Sequence, residues 1–406
     1  MTTGVYAISA QRSRPRPTVA EVFVHSAAQI HEAAAGIWPG EPVVLEEHVP
    51  SVTGYVHRAR VGDRTLYAKT SLLGVSLVSL LRGTCGSWRA VRQAQQDYVQ
   101  RSEGLLVREA AQLRILADLD GPRVCTVAGM RAGVIFTEAV PGATLAELLL
   151  KRPGDAGALL GRTLAELRPL HRPGAARRLD RAGVIDERSI DGTFCRKFEG
   201  LAGFVYVDQL GAERCPARCG EVADLVQGSV RRLLALRTKL PSAVGASLVY
   251  GDLKPEHVLF PDGPDGRPVF LDPGLLRASP MVDMAKLLSR TVLLLVARRP
   301  DPATVRLVVD GLGIVALSRV GHLSVRERRE WLRNLLTLWL MDTLNIVTTY
   351  LSAPAALPLP SIGLALVERA ATVCSLVDEV SSDLLDPLLR KGRGERTLAR
   401  IVEAVV

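Results

Sequence analysis

The sequence of 406 residues has few aromatic side chains, 4% in all, and only six cysteines. The cysteines are irregularly spaced and form no CxxC pair. This pattern is not typical of a disulfide-stabilised secreted domain or of a zinc-binding motif. Cys215 and Cys219, together with Cys195, could supply zinc ligands, but reduced thiols are the expected state.

The sequence also has no long apolar stretch that is free of charge. The longest, residues 335–351, contains Asp342, and a carboxylate in the middle of a membrane helix opposes insertion by roughly 2.5–3.5 kcal/mol. We therefore expect a buried helix here. The first residues lack a charged start followed by an apolar core, so we expect no signal peptide, a loose tail over residues 1–17 and a cytoplasmic protein.

Aliphatic residues and positive charge are abundant. Hydrophobic residues make up 48% of the chain, and the formal net charge is +9. The first value predicts a folded chain with one large core or two moderate ones. The second suits an anionic partner, such as a nucleotide, a phosphorylated substrate, a nucleic acid or a membrane surface. The alternative is an arginine-rich, solvated surface.

The pattern of residues 18–140 predicts a small lobe rich in β-strands. The expected elements are a helix over residues 19–35, capped by Thr18, and strands over 43–48, 56–61, 65–70, 124–128 and 134–137. Lys69 lies on the third strand. It is either a solvated strand residue or a lysine that binds phosphate. Glu109 lies on a helix that follows.

Between these elements, residues 71–101 combine apolar and basic side chains. They predict an inserted helical pair packed on the core. The alternative is a basic amphipathic lid that covers the substrate or touches a membrane. This segment is therefore the candidate contact for an anionic partner or a membrane surface.

Residues 141–406 predict a helical lobe, interrupted at residues 248–274 by short strand-like runs. Asp252 and Asp272 end two of these runs, and a turn at residues 262–266 would fold the chain into a hairpin and bring the carboxylates together. In phosphoryl transfer, one carboxylate can orient a hydroxyl while another holds Mg²⁺ on a nucleotide.

Several motifs in order resemble the protein-kinase-like superfamily, and within it the aminoglycoside phosphotransferase-like family. YGDLKPEH, from Tyr250, is similar to the catalytic loop HGDxxxxN or HRDLKPEN, and DPG, from Asp272, stands where DFG stands. VIFTEAVPG, from Val134, is similar to the last strand and hinge, and DMAKLL, from Asp283, to a DxAxLL helix start. Lys69 and Glu109 match the strand lysine and its helix partner, with Glu103 as an alternative partner.

The resemblance implies an α+β, bilobal protein-kinase-like fold and the use of ATP with Mg²⁺, or with Mn²⁺. It implies that Asp252 orients the acceptor hydroxyl and Lys254 neutralises the γ-phosphate. It implies that Lys69, held by Glu109, contacts the α- and β-phosphates, and that Thr53 and Gly54 cover the phosphates. It also implies that the backbone of Glu138 and Val140 binds adenine. Asp272 and His257 are the implied metal ligands.

The sequence departs from the family pattern at His257, which stands in place of an asparagine, and imidazole is a poor Mg²⁺ ligand. The expected function is transfer of the γ-phosphate of ATP to a hydroxyl of a small molecule, such as an antibiotic, sugar or metabolite. The alternatives are a protein serine/threonine kinase and a catalytically weak kinase-like binding or regulatory protein. No nucleic-acid partner is expected.

Overall fold

The computed structural model describes residues 16–119, 121–172, 174–241, 247–386, 388 and 392–406. Of the loose tail predicted for residues 1–17, residues 1–15 lie outside the described residues. The strands, in chain order, are β1 (Val43–Val49), β2 (Tyr55–Val61), β3 (Arg64–Thr70), β4 (Arg123–Val124), β5 (Val127–Arg131), β6 (Val134–Glu138), β7 (Ala143–Thr144), β8 (Ser247–Val249), β9 (Val258–Phe260), β10 (Val269–Phe270) and β11 (Leu276–Ala278).

Helices fill most of the remaining described chain. They are α1 (Val19–Ile37), α2 (Leu77–Leu81), α3 (Trp88–Tyr98), α4 (Leu105–Ala117), α5 (Leu145–Lys151), α6 (Ala156–Glu166), α7 (Ala175–Ala182), α8 (Ile190–Phe198), α9 (Gly200–Asp208), α10 (Cys219–Arg237), α11 (Met281–Arg298), α12 (Pro302–Val320), α13 (Val325–Leu351), α14 (Ser361–Glu368), α15 (Ala370–Leu385) and α16 (Arg393–Val405). The predicted α+β architecture, with a β-rich first part and a helical second part, is confirmed.

The first part is an antiparallel five-stranded sheet, in the order β1-β2-β3-β6-β5, between two helices. Helix α1 begins at the capping box of Thr18 and Glu21, as predicted at its N-terminus. Alternation along β3 buries Leu66 and Ala68 in a cluster shared with α1. Lys69, of opposite parity, therefore lies on the sheet face that α4 covers.

Helices α2 and α3 lie between β3 and α4. The apolar side chains of α2, among them Leu77 and Leu80, are buried in the largest hydrophobic cluster, as is Val91 of α3. The buried Gln95 of α3 accepts a hydrogen bond from the backbone N–H of Leu73 (2.8 Å) and donates one to the carbonyl of Ser71 (3.2 Å). These contacts tie the segment to the end of β3.

The second part packs helices around short strand pairs. Strands β9 and β10 form the predicted antiparallel hairpin, with β7 beside β9 and β4 parallel to β10, and β8 pairs with β11. The stretch 335–351 is the buried half of α13, as expected, and Asp342 is paired there with Arg290 (3.0 Å). None of the helices in the described part of the chain combines the length and apolar character that crossing a membrane requires.

Candidate active site

The loop that follows β8 is held by a buried carboxylate on α11. Asp283 accepts hydrogen bonds from the backbone N–H groups of Tyr250 (2.9 Å) and Gly251 (2.7 Å). Gly251 has a φ of 80°, and a Cβ there would overlap the carbonyl oxygen of Gly274. Only glycine adopts this conformation at low cost, so the turn that presents Asp252 needs glycine at this position.

The β9–β10 hairpin returns the chain to the same place. The backbone N–H of Leu271 donates to the carbonyl of His257 (2.9 Å), and that of Gly274 donates to the carbonyl of Tyr250 (2.9 Å). Asp272, between them, has a φ of 55°, a left-handed conformation that is uncommon for residues other than glycine. Backbone strain of this kind occurs preferentially at functional sites.

Lys69 joins the sheet to this loop. Its Nζ lies 2.9 Å from Oε1 of Glu109 on α4 and 3.4 Å from Oδ1 of Asp272. Burial disfavours the charged lysine, but the two carboxylates outweigh it and raise the Lys69 pKa. Glu103, the alternative partner, lies before α4 and bonds to Ser102 instead. The pair predicted from the sequence, Lys69 with Glu109, is thus the one that forms.

Asp252 is buried among cations. Nζ of Lys254 lies 2.9 Å from its Oδ2, Nζ of Lys286 lies 3.4 Å from its Oδ1, and Nε of Arg188 lies 3.8 Å from Oδ2. Burial would raise the Asp252 pKa, but these charges hold it well below its usual range. The carboxylate is therefore ionised at neutral pH and can only accept hydrogen bonds.

Arg188 is a residue that sequence reasoning missed. Its guanidinium donates to Oε2 of Glu109 and to the carbonyl of Pro273, in addition to its approach to Asp252. It comes from a stretch, residues 172–220, whose sequence shows no clear periodicity. Lys286 was also missed, although it lies within the DMAKLL motif that the sequence analysis singled out.

His257 lies beside Asp272, with its Nδ1 3.4 Å from Oδ2 of that residue. Burial, followed by the nearby Lys254 charge, lowers the His257 pKa to about 4, so the ring is neutral at pH 7. Its Nδ1 is buried and has no hydrogen-bond partner. An unpaired ring nitrogen next to a carboxylate is a donor set that a divalent ion fits.

No cluster of three or more histidine, cysteine or acidic side chains forms a ready-made metal site among the residues described. This is compatible with Mg²⁺, which in nucleotide enzymes is often held by one or two carboxylates together with substrate phosphates and water. Asp272 provides the hard oxygen ligand. Neutral His257 would add a ring nitrogen, a kind of ligand that suits transition-metal ions better than Mg²⁺.

The remaining predicted residues lie along the edge of the cleft. Glu138 ends β6, and its backbone N–H donates to the carbonyl of Thr126 (2.9 Å). Val140 and Leu271 both pack against the apolar cluster that includes Leu106 and Leu113 of α4. Thr53 is exposed in the β1–β2 turn, and a Cβ on Gly54 would lie 2.9 Å from the carbonyl oxygen of Thr70. None of the four contacts Asp252 or Asp272 directly.

The sequence profile of the phosphotransferase enzyme family matches residues 89–307, more than half of the chain. A comparison with curated proteins finds no match.

Solved structures with a similar course of the chain include several kinases. An ethanolamine kinase from Plasmodium vivax is 12% identical, with 86% of this chain and 87% of that chain covered and a TM-score of 0.46. An aminoglycoside-3'-phosphotransferase of type VIII is 22% identical, with 77% and 99% covered and a TM-score of 0.41. A spectinomycin phosphotransferase in complex with ADP and spectinomycin is 10% identical, with 87% and 98% covered and a TM-score of 0.44.

The profile match spans the motifs from Glu109 to the DMAKLL helix, and the two-part architecture is the kinase-like one that those motifs predicted. The resemblance stated from the sequence is therefore confirmed: this chain belongs to the phosphotransferase enzyme family.

Proposed function

We propose that this phosphotransferase transfers the γ-phosphate of ATP to a hydroxyl group of a small molecule. The observation that carries the proposal is the convergence of three segments far apart in sequence. Lys69, paired with Glu109, lies within ion-pair distance of Asp272. Arg188 approaches both Glu109 and Asp252 and so joins the Asp252 loop to the same group of charges. Phosphoryl transfer depends on such positioning and on charge neutralisation more than on covalent chemistry.

At the nucleotide end, Lys69 contacts the α- and β-phosphates, held in place by Glu109. Thr53 and Gly54 cover the phosphates. Because Gly54 has no side chain, its backbone can pack closely on β3 at Thr70 and can also come close to a phosphate. The backbone of Glu138 and Val140 binds adenine, and the apolar cluster around Val140 offers a surface for the base.

Asp272 and His257 are the residues that would hold a divalent ion. A bound Mg²⁺ or Mn²⁺ supplies neutralisation of phosphate charge. The ionised state of Asp272 supports this role, because burial is outweighed by Lys69 and His257 and its pKa lies below the usual value.

At the acceptor end, Asp252 accepts a hydrogen bond from the substrate hydroxyl and thereby orients its oxygen. Because its pKa is low, Asp252 is a weak base. It is therefore better suited to orienting the hydroxyl group than to removing the hydroxyl proton early in the reaction. Lys254, 2.9 Å from Asp252, is placed to neutralise the γ-phosphate as charge develops on its oxygens.

A protein serine/threonine kinase is the weaker alternative. Only residues 273–280 separate Asp272 from the start of α11 at Met281, and part of this segment pairs with β8 as strand β11. This leaves little chain for a platform that would hold a peptide. A weakly active binding protein is the second alternative, and His257 is the residue that favours it.

We also propose that the chain divides into two lobes. The N-terminal lobe comprises residues 18–140, with the insertion 71–101, and the C-terminal lobe comprises residues 141–406. Because the apolar side chains of α2 are buried, any contact of the insertion with an anionic partner or a membrane surface would use its arginines. Three acidic residues of the helical lobe that could attract a cationic sugar, Asp180, Glu187 and Asp191, pair with arginines instead.

The proposal is tested with Asp252→Asn. We expect loss of phosphoryl transfer by at least about a hundredfold, the lower range for a positioned acid–base group, with little change in ATP affinity. ATP consumption is first screened against amino sugars, nucleosides and peptides to find an acceptor, and turnover and ATP binding are then measured for the variant.

The matched control is Asp265→Asn, in the turn of the same hairpin, where the side chain is 89% exposed. This variant should turn over like the wild type. Unchanged turnover in Asp252→Asn would remove Asp252 from the mechanism. If the wild type bound no ATP with either Mg²⁺ or Mn²⁺, the phosphotransferase proposal would fail.

A further inference from the structure

A cavity in the helical lobe is lined in part by Asp283, the carboxylate that holds the loop before Asp252. Its volume is about 230 Å³. Its walls come from α6 and the turn after it, the start of α11, the end of α12 and the start of α13. The lining residues are Leu164, Leu167, His171, Ser279, Pro280, Met281, Asp283, Met284, Arg319 and Trp331.

Two polar side chains in the wall of this cavity, His171 and Arg319, lack hydrogen-bond partners among the described residues. Nε2 of His171 is buried and has no hydrogen-bond partner. Arg319, which is half-buried, makes no hydrogen bond or ion pair with any described residue, and burial together with the charge of another arginine, Arg168, lowers its pKa. Buried polar groups without partners are rare in folded proteins and often indicate an unseen ligand or water.

The carboxylate in the wall, Asp283, forms no ion pair with Arg319. Both oxygens of Asp283 accept hydrogen bonds from the backbone of Tyr250 and Gly251. Burial and the charge of Arg319 lower the His171 pKa, so its ring is neutral at pH 7 and, in the Nε2–H tautomer, donates a hydrogen bond. An anion placed here would meet two hydrogen-bond donors, while the Asp283 oxygens are already engaged by two backbone N–H groups.

The rest of the wall is apolar. Leu164, Leu167, Met281 and Met284 face the cavity together with the ring of Trp331. An apolar cavity of about 150 Å³ is large enough to hold benzene. This one therefore has room for an aromatic ring or a short aliphatic chain and a small charged group beside it.

We propose that this cavity binds a small carboxylate with an apolar body, such as an arylacetate. The carboxylate contacts Arg319 and His171, and the body packs against the leucine and methionine side chains and Trp331. The cavity shares none of its lining residues with the groups proposed above for the nucleotide, the metal or the acceptor. The inference does not depend on the acceptor proposed above.

The test uses phenylacetate as the probe and phenylacetamide as its neutral counterpart of the same shape. Titration calorimetry on the full chain should show saturable binding of phenylacetate at one site. The amide should bind at least about tenfold more weakly, because it lacks the charge that strengthens hydrogen bonds to Arg319. Saturating ATP with Mg²⁺ should leave the phenylacetate affinity unchanged.

Two variants locate the site. Arg319→Gln should weaken phenylacetate binding by about tenfold or more, whereas Arg306→Gln, which removes the same charge from an exposed position of α12, should not. Leu164→Phe fills the cavity while keeping Arg319, and should also weaken binding. It provides an independent test should Arg319→Gln fail to fold.

The proposal is overturned by any of four results. These are no saturable binding of phenylacetate, equal affinity for the acid and the amide, displacement of phenylacetate by ATP, or equal effects of the two arginine substitutions in folded protein. Unchanged turnover in Asp252→Asn with phenylacetate binding intact would count against the proposed function and leave this inference standing by itself.

Discussion

At the scale of single residues, His257 has the greatest effect on how this site can work. Its neutral ring offers a nitrogen beside the carboxylate of Asp272, where an amide oxygen is usual in the family that the sequence resembles. Magnesium prefers oxygen ligands, whereas imidazole suits softer ions. At the proposed metal site, the Asp272 carboxylate is therefore a good ligand for Mg²⁺ and the His257 ring is a poor one.

Replacement of His257 by asparagine should preserve or raise turnover with Mg²⁺, because the substitution supplies an oxygen ligand next to Asp272. The ratio of Mg²⁺-supported to Mn²⁺-supported turnover should also rise. Both are measured by steady-state kinetics, with His322→Asn, an exposed position, as the matched control. A total loss of activity would show that His257 has a role of its own, as a ligand or as a substrate contact.

Asp283 should make stability depend on pH. Burial raises its pKa to about 6, although two backbone N–H groups and Lys286 oppose the shift. Because this folded-state pKa lies above the unfolded value of 3.8, the folded protein binds the proton more tightly between pH 4 and 6. The contribution of Asp283 to the free energy of unfolding therefore falls as pH rises through that window.

Asp283→Asn removes this titration. From pH 4 to pH 7, the wild type should lose roughly 2–3 kcal/mol of unfolding free energy relative to the variant, at about 1.4 kcal/mol per pKa unit. Urea unfolding at several pH values measures the difference. Parallel profiles for the two proteins would show that Asp283 is not the titrating group.

At the scale of elements, the insertion formed by α2 and α3 supports the part of the sheet that is proposed to bind the nucleotide. The backbone N–H of Val78 in α2 donates to the carbonyl of Val52 in the β1–β2 turn (3.3 Å), and Gln95 in α3 holds the chain that leaves β3. The insertion thus contacts both the turn that carries Thr53 and the strand that carries Lys69.

Gln95→Ala should destabilise the protein by about 2–4 kcal/mol, since it leaves the buried backbone groups of Ser71 and Leu73 without partners and each costs about 1–3 kcal/mol. Gln96→Ala, the exposed neighbour on the same helix, should change stability by less than about 0.5 kcal/mol. Urea unfolding compares the two. Similar losses in both variants would mean that Gln95 does not anchor the insertion.

At the scale of the whole molecule, the two lobes meet through charged contacts across the cleft. Glu109 of the sheet-covering helix binds Arg188 of the helical lobe, and Arg108 pairs with Glu187 next to it. A ligand that bridges the same cleft adds to these contacts. It should therefore stabilise the whole fold by binding the native state alone.

ATP with Mg²⁺ at about a hundred times its dissociation constant should raise the free energy of unfolding by about 2.7 kcal/mol. Lys69→Met should abolish most of this gain while the apo protein remains folded, because Glu109 keeps its bond to Arg188. Lys151→Met, an exposed position on α5, serves as the control. Stabilisation of Lys69→Met equal to that of the wild type would exclude Lys69 from nucleotide binding.

Local patterns were sufficient to predict the elements that build the site. Alternation in β3 assigned Lys69 to one face, the Asp- and Gly-rich turn at 262–266 predicted the β9–β10 hairpin, and Thr18 predicted the start of α1. These signals are read within a few residues, because side-chain direction and turn conformation depend on nearby backbone geometry. The pairing of Lys69 with Glu109 needed, in addition, the family resemblance.

The order of the motifs and the two-part architecture follow from the amino-acid sequence alone. Which charged side chains surround the motifs depends on the tertiary structure. Arg188 reaches Glu109 across 79 positions, Lys286 reaches Asp252 across 34, and Arg319 faces a cavity whose walls come from four helices. Such contacts depend on how packed elements orient long side chains, and neither periodicity nor turn chemistry encodes that orientation.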